Sequence, residues 1–190
     1  MRASEVAKRP VVTFAGEDIA QVKDIVYAAG GGQVGGFTLN GRGLLAGPLK
    51  VSLTWASVAA LGRDAVMVTD ESVLEPRKEM LQQTGASGGG DILGSRVLTD
   101  TGVDLGKVVD VIIQVTEGQG TQADVVGYEI DPSEAMNTGS TKVLIPLPDT
   151  LAASGEHLMV PAAAKDFVSH DLAGFGAAVE AFRAQLEAGH

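Results

Sequence analysis

Apolar and polar residues alternate along most of this chain, and turn residues interrupt the alternation at intervals of about 8–12 positions. Val11-Val12-Thr13-Phe14 reads as a strand that stops at the turn Ala15-Gly16-Glu17-Asp18. Ile19 to Tyr27 reads as a second, with Ile19, Val22, Ile25 and Val26 supplying apolar surface. The run Gly30-Gly31-Gly32 reverses the chain into Gly35-Gly36-Phe37-Thr38-Leu39, and Asn40-Gly41 turns it again. Leu49 to Leu53 is a further strand, leading into Thr54-Trp55-Ala56-Ser57-Val58. Arg63-Asp64 then turns the chain into Ala65-Val66-Met67-Val68. Short strands divided in this way predict a small barrel or sandwich.

The second half repeats the first. Val11–Val26, VVTFAGEDIAQVKDIV, returns as Val97–Ile112, VLTDTGVDLGKVVDVI, when 86 is added to each number. Six of the sixteen pairs are identical: Val11/Val97, Thr13/Thr99, Gly16/Gly102, Asp18/Asp104, Val22/Val108 and Asp24/Asp110. Chance at average residue usage gives about one. Strands are predicted at Arg96–Thr99, Leu105–Val115, Asp124–Ile130, Lys142–Ile145 and Glu156–Val160. Gly127-Tyr128-Glu129-Ile130 matches Gly36-Phe37-Thr38-Leu39 at an offset of 91, so one hairpin has grown. Loop tips are where chains tolerate such growth.

Two helices are predicted outside the strands. Glu75-Pro76 opens a short one over Arg77–Gln83, since Pro suits the first helical position. The glycine-rich stretch 85–90 follows it as a link. The other helix runs from Gly176 to Ala188. Phe175, Ala178, Val179, Phe182 and Leu186 form one apolar stripe on it. A lone helix of that length is marginal in water, so something must cover the stripe. The favoured cover is its own barrel. Docking of Phe175 and Phe182 on a second copy or on a foreign partner is the other reading. The expected division is a first domain over 1–76, a linker over 77–90, a second domain over 91–170 and a C-terminal helix over 171–190.

The spaced residues Gly16-x-x-Ile19-x-x-Val22-x-Asp24-Ile25-Val26, then Gly36-Phe37, Leu53-x-Trp55-x-x-Val58 and Ala65–Val68, resemble a PRC-barrel domain. Ile92-Leu93-Gly94 followed by Gly102-x-x-Leu105-Gly106-x-Val108-x-Asp110-Val111-Ile112 resembles a second. The resemblance implies a mainly β fold of two small barrels in tandem, with a short linker helix and a C-terminal helix. It occurs in the cytoplasmic part of the photosynthetic reaction-centre H subunit and in ribosome-maturation factors. It implies protein binding and no shared reaction. The membrane helix of the former and the preceding domain of the latter have no counterpart here. Pro146-Leu147 stands where the first copy has Thr54-Trp55.

Composition narrows the chemistry. The net charge is -10, and no basic run is present to neutralise phosphates, so nucleic acid is not an expected partner. No apolar stretch is long enough for a membrane helix. Cysteine is absent, which removes disulfides and thiolate chemistry and fits a reducing, cytoplasmic setting. The histidines, His157, His170 and His190, show no metal-ligand spacing. No cofactor is expected.

Two motifs match on paper only. Gly30-Gly31-Gly32-Gln33-Val34-Gly35 fits G-x-G-x-x-G, and Gly118–Ala123 fits its G-x-G-x-x-A variant, yet a strand rather than a helix follows. They read as turn glycines, with positive φ expected at Gly32 and Gly35. Gly85-Ala86-Ser87-Gly88-Gly89 fits G-x-S-x-G without the strand and helix that a nucleophile elbow needs. Asp24 and Asp110 are more telling, because mid-strand Asp is disfavoured and both copies have it. Each is expected to bond backbone donors of a neighbouring turn or to point into solvent, or else to contact a partner or a cation. Trp55 is expected in the core at the barrel edge, or else as an exposed binding anchor. The candidate partner-binding residues are therefore Asp24, Asp110, Trp55, Phe175 and Phe182. The expected function is a non-enzymatic protein-binding scaffold. The alternative is a small-molecule-binding regulator that uses the cleft between the barrels.

Overall fold

The computed structural model describes the chain apart from residues 31, 44–45, 86–91, 117–121, 140, 149–151, 155–156 and 189–190. In the first unit β1 (Pro10–Thr13), β2 (Asp18–Tyr27), β3 (Val34–Asn40), β4 (Pro48–Thr54), β5 (Ala60–Leu61), β6 (Val66–Val68) and β7 (Glu75–Pro76) make one sheet, in the order β5-β6-β1-β2-β3-β4-β7. Helix α1 (Arg77–Thr84) follows. In the second unit β8 (Arg96–Thr99), β9 (Asp104–Thr116), β10 (Gln122–Pro132), β11 (Val143–Pro146), β12 (Ala152–Ser154) and β13 (His157–Val160) make another, in the order β11-β10-β9-β8-β13-β12. Helix α2 (Leu172–Ala188) ends the described chain.

The repeat holds at the level of register. β1 runs parallel to β6 with Val11 opposite Val66, and β8 runs parallel to β13 with Val97 opposite Leu158. β2 on β3 and β9 on β10 share one pattern, bulges included: Tyr27 faces Val34, and Ile113 faces Val125. Among the described residues neither ladder closes on itself, so the expected barrels are open. In the first unit the turn Trp55–Ser57 parts edge strand β5 from β4. Trp55 is buried there, its ring edge-on to Phe37 with centroids 6.0 Å apart. Leu147 is buried at the corresponding place in the second unit. One continuous apolar core, from Val11 and Phe37 through Val34 to Val125 and Ile145, runs through both units.

Each unit is completed by its own helix. A Cβ on Gly36 would stand 2.8 Å from Met80 Sδ of α1 and overlap Leu53 O. Gly127, its counterpart, lies so close under the Phe175 ring of α2 that a Cβ would overlap it. Phe175 and Val179 pack with Ile112, Val126 and Leu144, and Phe182 lies 5.5 Å from Phe167 between centroids. The apolar stripe of α2 is thus covered by its own unit, and Phe175 and Phe182 are buried rather than presented to a second copy. α1, expected as part of a linker, is the counterpart of α2 on the first sheet. α2 begins at Leu172, before the expected Gly176, since Asp171 Oδ1 accepts the Gly174 N–H at 2.8 Å.

Several glycine expectations change. Gly35 has no positive φ; it is small because a Cβ would stand 2.6 Å from Thr84 Cγ2. Gly32 also lacks positive φ and faces open space. Gly85 is the left-handed cap of α1, while Gly31, residues 86–89 of the G-x-S-x-G match, Gly118–Gly120, Glu156 and His190 lie outside the described residues.

Residues 1–10 are structured. The turn Ala3–Glu5 leads to Lys8, whose N–H donates to Val22 O at 2.8 Å. Gly94 N–H donates to Val108 O at 2.8 Å at the position 86 residues on. Both residues are left-handed, Lys8 at φ 72° and Gly94 at φ 87°. Only glycine adopts that region without penalty. Lys8→Gly should therefore raise stability by about 0.5–1 kcal/mol, and Gly94→Ala, with nothing within 4 Å of the added Cβ, should lower it by about 1 kcal/mol. Urea unfolding of the two variants checks both signs.

Candidate functional site

The site arises from strands that outrun their neighbours. β1 pairs with β2 only through Pro10–Val12, and β8 pairs with β9 only through Arg96–Leu98. Past Val22 and Val108, each long strand therefore has an edge its own unit does not cover. In the second unit the chain's first residues cover it. The Met1 amine donates to Ile113 O at 2.8 Å, and Ile113 N–H donates to Met1 O at 2.9 Å, with Arg2 opposite Ile112. The Arg2 guanidinium grips Glu129 through Nε at 3.1 Å and a terminal nitrogen at 2.9 Å. Those bonds hold the Arg2 pKa above its ordinary value. Ser4 N–H donates to Asp110 Oδ1 at 3.2 Å, and the Ser4 hydroxyl donates to Oδ2. Arg9 ties the same segment to the first unit, donating to Glu5 O at 2.8 Å and Gly62 O at 2.6 Å. Residues 1–9 are thus a clasp between the units.

A second junction joins the hairpins. Gln33 and Asp124 form an antiparallel bridge, Gln33 Nε2 donates to Asp124 Oδ1 at 3.3 Å, and Val125 N–H donates to Gly32 O at 2.9 Å. Gln33 and Asp124 correspond at the offset of 91. A residue that pairs antiparallel with its own counterpart marks a local two-fold axis, the geometry of an isologous dimer within one chain.

A cleft of about 470 Å³ opens between β2 and β9. Lys23 to Tyr27 and Thr38 line one side, and Val109, Asp110, Ile92 and Leu93 line the other. Ala3, Ser4 and Ala7 of the clasp and Arg77 of α1 complete it. Leu93 is 60% exposed and Val109 is 36% exposed, so the walls are partly apolar and open to solvent.

The structure brings Asp24 and Asp110 into one cleft and gives them different states. Asp110 is buried and saturated by Ser4 and by Val111 N–H at 2.8 Å, a structural role inside the chain. The Asp24 side chain is 62% exposed, 2.9 Å from Lys23 Nζ, and accepts from the Thr38 hydroxyl at 3.3 Å. Trp55, Phe175 and Phe182 lie in the cores, away from the cleft lining. The clasp residues Arg2 and Ser4, the half-buried Tyr27 and the buried Tyr128 went unnoticed in the sequence. Burial pushes both phenols up from their ordinary value, and for Tyr27 the nearby Asp110 carboxylate adds to the effect. The Tyr128 hydroxyl has no hydrogen-bond partner among the described residues. Among those residues no group of His, Asp and Glu could hold a metal ion, and no helix is long and apolar enough to cross a membrane.

Asp110→Ala strands buried donors and should cost about 2–3 kcal/mol, whereas Asp24→Ala should stay within about 0.5 kcal/mol. Chemical denaturation of the two variants checks the contrast. A second expectation concerns alkali. Folded-state phenol pKa values raised above the ordinary 10.0 mean that the fold holds protons the unfolded chain releases. Stability is fully present below that pH and falls as pH rises above it. Tyr27→Phe with Tyr128→Phe should flatten that fall in unfolding free energy measured against pH.

The model of the PRC-barrel domain matches this chain twice, over residues 1–74 and 85–166. Comparison with curated proteins gives no match.

Proposed function

The chain belongs to the PRC-barrel family through both of its halves, and on that premise we propose that it is a non-enzymatic protein-binding or scaffold protein whose inter-unit cleft takes the partner. The carrying observation is the cleft itself. Exposed apolar Leu93 and Val109 stand beside a polar rim of Lys23, Asp24 and Arg77, the arrangement of a binding patch. Two hydroxyl–carboxylate pairs line the cleft, Ser4 with Asp110 and Thr38 with Asp24, and the two bonds of Ser4 to Asp110, through its N–H and its hydroxyl, support a clasp rather than a nucleophile. The acidic, cysteine-free composition supports a cytoplasmic setting. A second reading, a small regulatory ligand in the cleft, draws on its volume of about 470 Å³, which falls in the range of small-molecule sites.

A photo-crosslinking residue at Leu93 tests the proposal, with the same residue at exposed Phe14, outside the cleft lining, as control. The expected result is one stoichiometric protein adduct from position 93 that disappears with Val109→Glu. Equal labelling from both positions overturns it. A small molecule retained in native mass spectrometry, without a protein adduct, favours the second reading.

A further inference from the structure

We propose that residues 1–5 fill, as a self-ligand, a strand-addition site on β9 from Asp110 to Ile113, and that a basic, hydroxyl-bearing segment of the protein partner takes the same site in their place. The proposal rests on the protein-binding reading above and adds a second contact to it. The site is defined by what occupies it. Met1 and Ile113 exchange both of their main-chain bonds, as paired residues of an added strand do. Asp110 and Glu129 stand opposite each other across β9 and β10. Like charges so placed weaken the pairing unless the covering segment supplies a cation and donors. The clasp supplies both. Arg2 takes Glu129, and the Ser4 N–H and hydroxyl take Asp110. A basic residue with a hydroxyl two positions on is therefore what this edge selects.

The clasp is held in a way that lets it exchange. Apart from the Ala3 methyl, the contacts printed for residues 1–5 on β9 and β10 are polar. The Arg2 side chain is 28% exposed and Ser4 is exposed, so water reaches these bonds. A part-exposed ion pair contributes little to stability and changes partner at small cost. The apolar anchor comes later, at fully buried Val6, and Arg9 fastens that end to Gly62 O of the first unit. Residues 1–5 can therefore lift while the anchor stays seated. A segment with the same groups replaces every bond that lifting breaks. Ala3, Ser4 and Asp110 also line the cleft, so a partner lying in the cleft reaches the clasp.

Two measurements test this. In the unmodified chain the Ile113 amide should exchange with solvent about tenfold faster than the amides bonded between β9 and β10, because it opens with the clasp alone. Equal rates overturn the proposal. The second uses a synthetic peptide of the clasp sequence, Met-Arg-Ala-Ser-Glu-Val, titrated into the full chain. It should bind Arg2→Glu, whose own clasp Glu129 repels, about tenfold more tightly than the unmodified chain, and slow exchange at Ile113 there. Glu129→Arg should lose this peptide and admit one with Glu in the arginine position. Absence of saturable binding to Arg2→Glu overturns the proposal, and so does equal affinity for Arg2→Glu and the unmodified chain. An unmodified chain that dimerises with concentration in light scattering, when Arg2→Glu does not, gives the edge to a second copy and overturns it too. A partner captured at Leu93 with no peptide effect at Ile113 leaves the binding function standing and removes only this contact.

Discussion

A strand that outruns its neighbour leaves backbone donors and acceptors that must be paired, solvated or covered. β2 and β9 both do so, and the way the two units meet follows from it. The units face each other through the uncovered edges of their longest strands, with their hairpins bridged at Gln33 and Asp124 about a local two-fold axis. One edge is closed by the chain's own first residues, which belong by sequence to the first unit and by hydrogen bonding to the sheet of the second. Among the described residues one clasp is seen against two equivalent edges; the counterparts of residues 1–5 at the offset of 86, residues 87–91, lie outside them. The cleft opens between these two edges.

A small open sheet has too little apolar surface to stand alone, and each unit answers this in the same way. A helix is laid over a glycine in the third strand, Met80 on Gly36 and Phe175 on Gly127. The glycine lets the helix approach closely, and the large side chain fills the space a Cβ would take. The helices differ in length and in the side chain they bury, yet they stand on corresponding glycines. So each sheet carries a helix over the corresponding glycine, and each helix follows the stretch that the family match covers.

Much of this was legible in sequence because strand period, turn residues and the offset of 86 all pointed one way. The strands at Arg96–Thr99 and His157–Val160 emerge nearly as read. The short strands Ala60–Leu61 and Ala152–Ser154 carry too few residues to show a period. The clasp was hidden for a different reason. Val6-Ala7-Lys8-Arg9 matches Ile92-Leu93-Gly94-Ser95 at the same offset, with the same turn bonds, but no residue is identical between them. Lysine in a left-handed position gives no glycine signal for a turn. The pairing of Arg2 with Glu129 and of Ser4 with Asp110 joins residues more than a hundred positions apart, and no local pattern encodes that.

Asp24 and Asp110 show how one duplicated residue comes to serve two ends. The copies share a register, a strand and a side chain, and diverge only in their surroundings. Beside Asp110 stand Val109 and, across the strand, Glu129, a setting that accepts a basic clasp and buries the carboxylate under Ser4. Beside Asp24 stand Lys23 and Thr38, which leave the carboxylate partly solvated and lightly held. A buried, fully bonded carboxylate fixes structure, because removing it strands its donors. An exposed ion pair contributes little to stability and so can exchange its partner at small cost. The Asp110 half of the cleft therefore carries stability, while the Asp24 half keeps an exposed carboxylate that stability does not depend on.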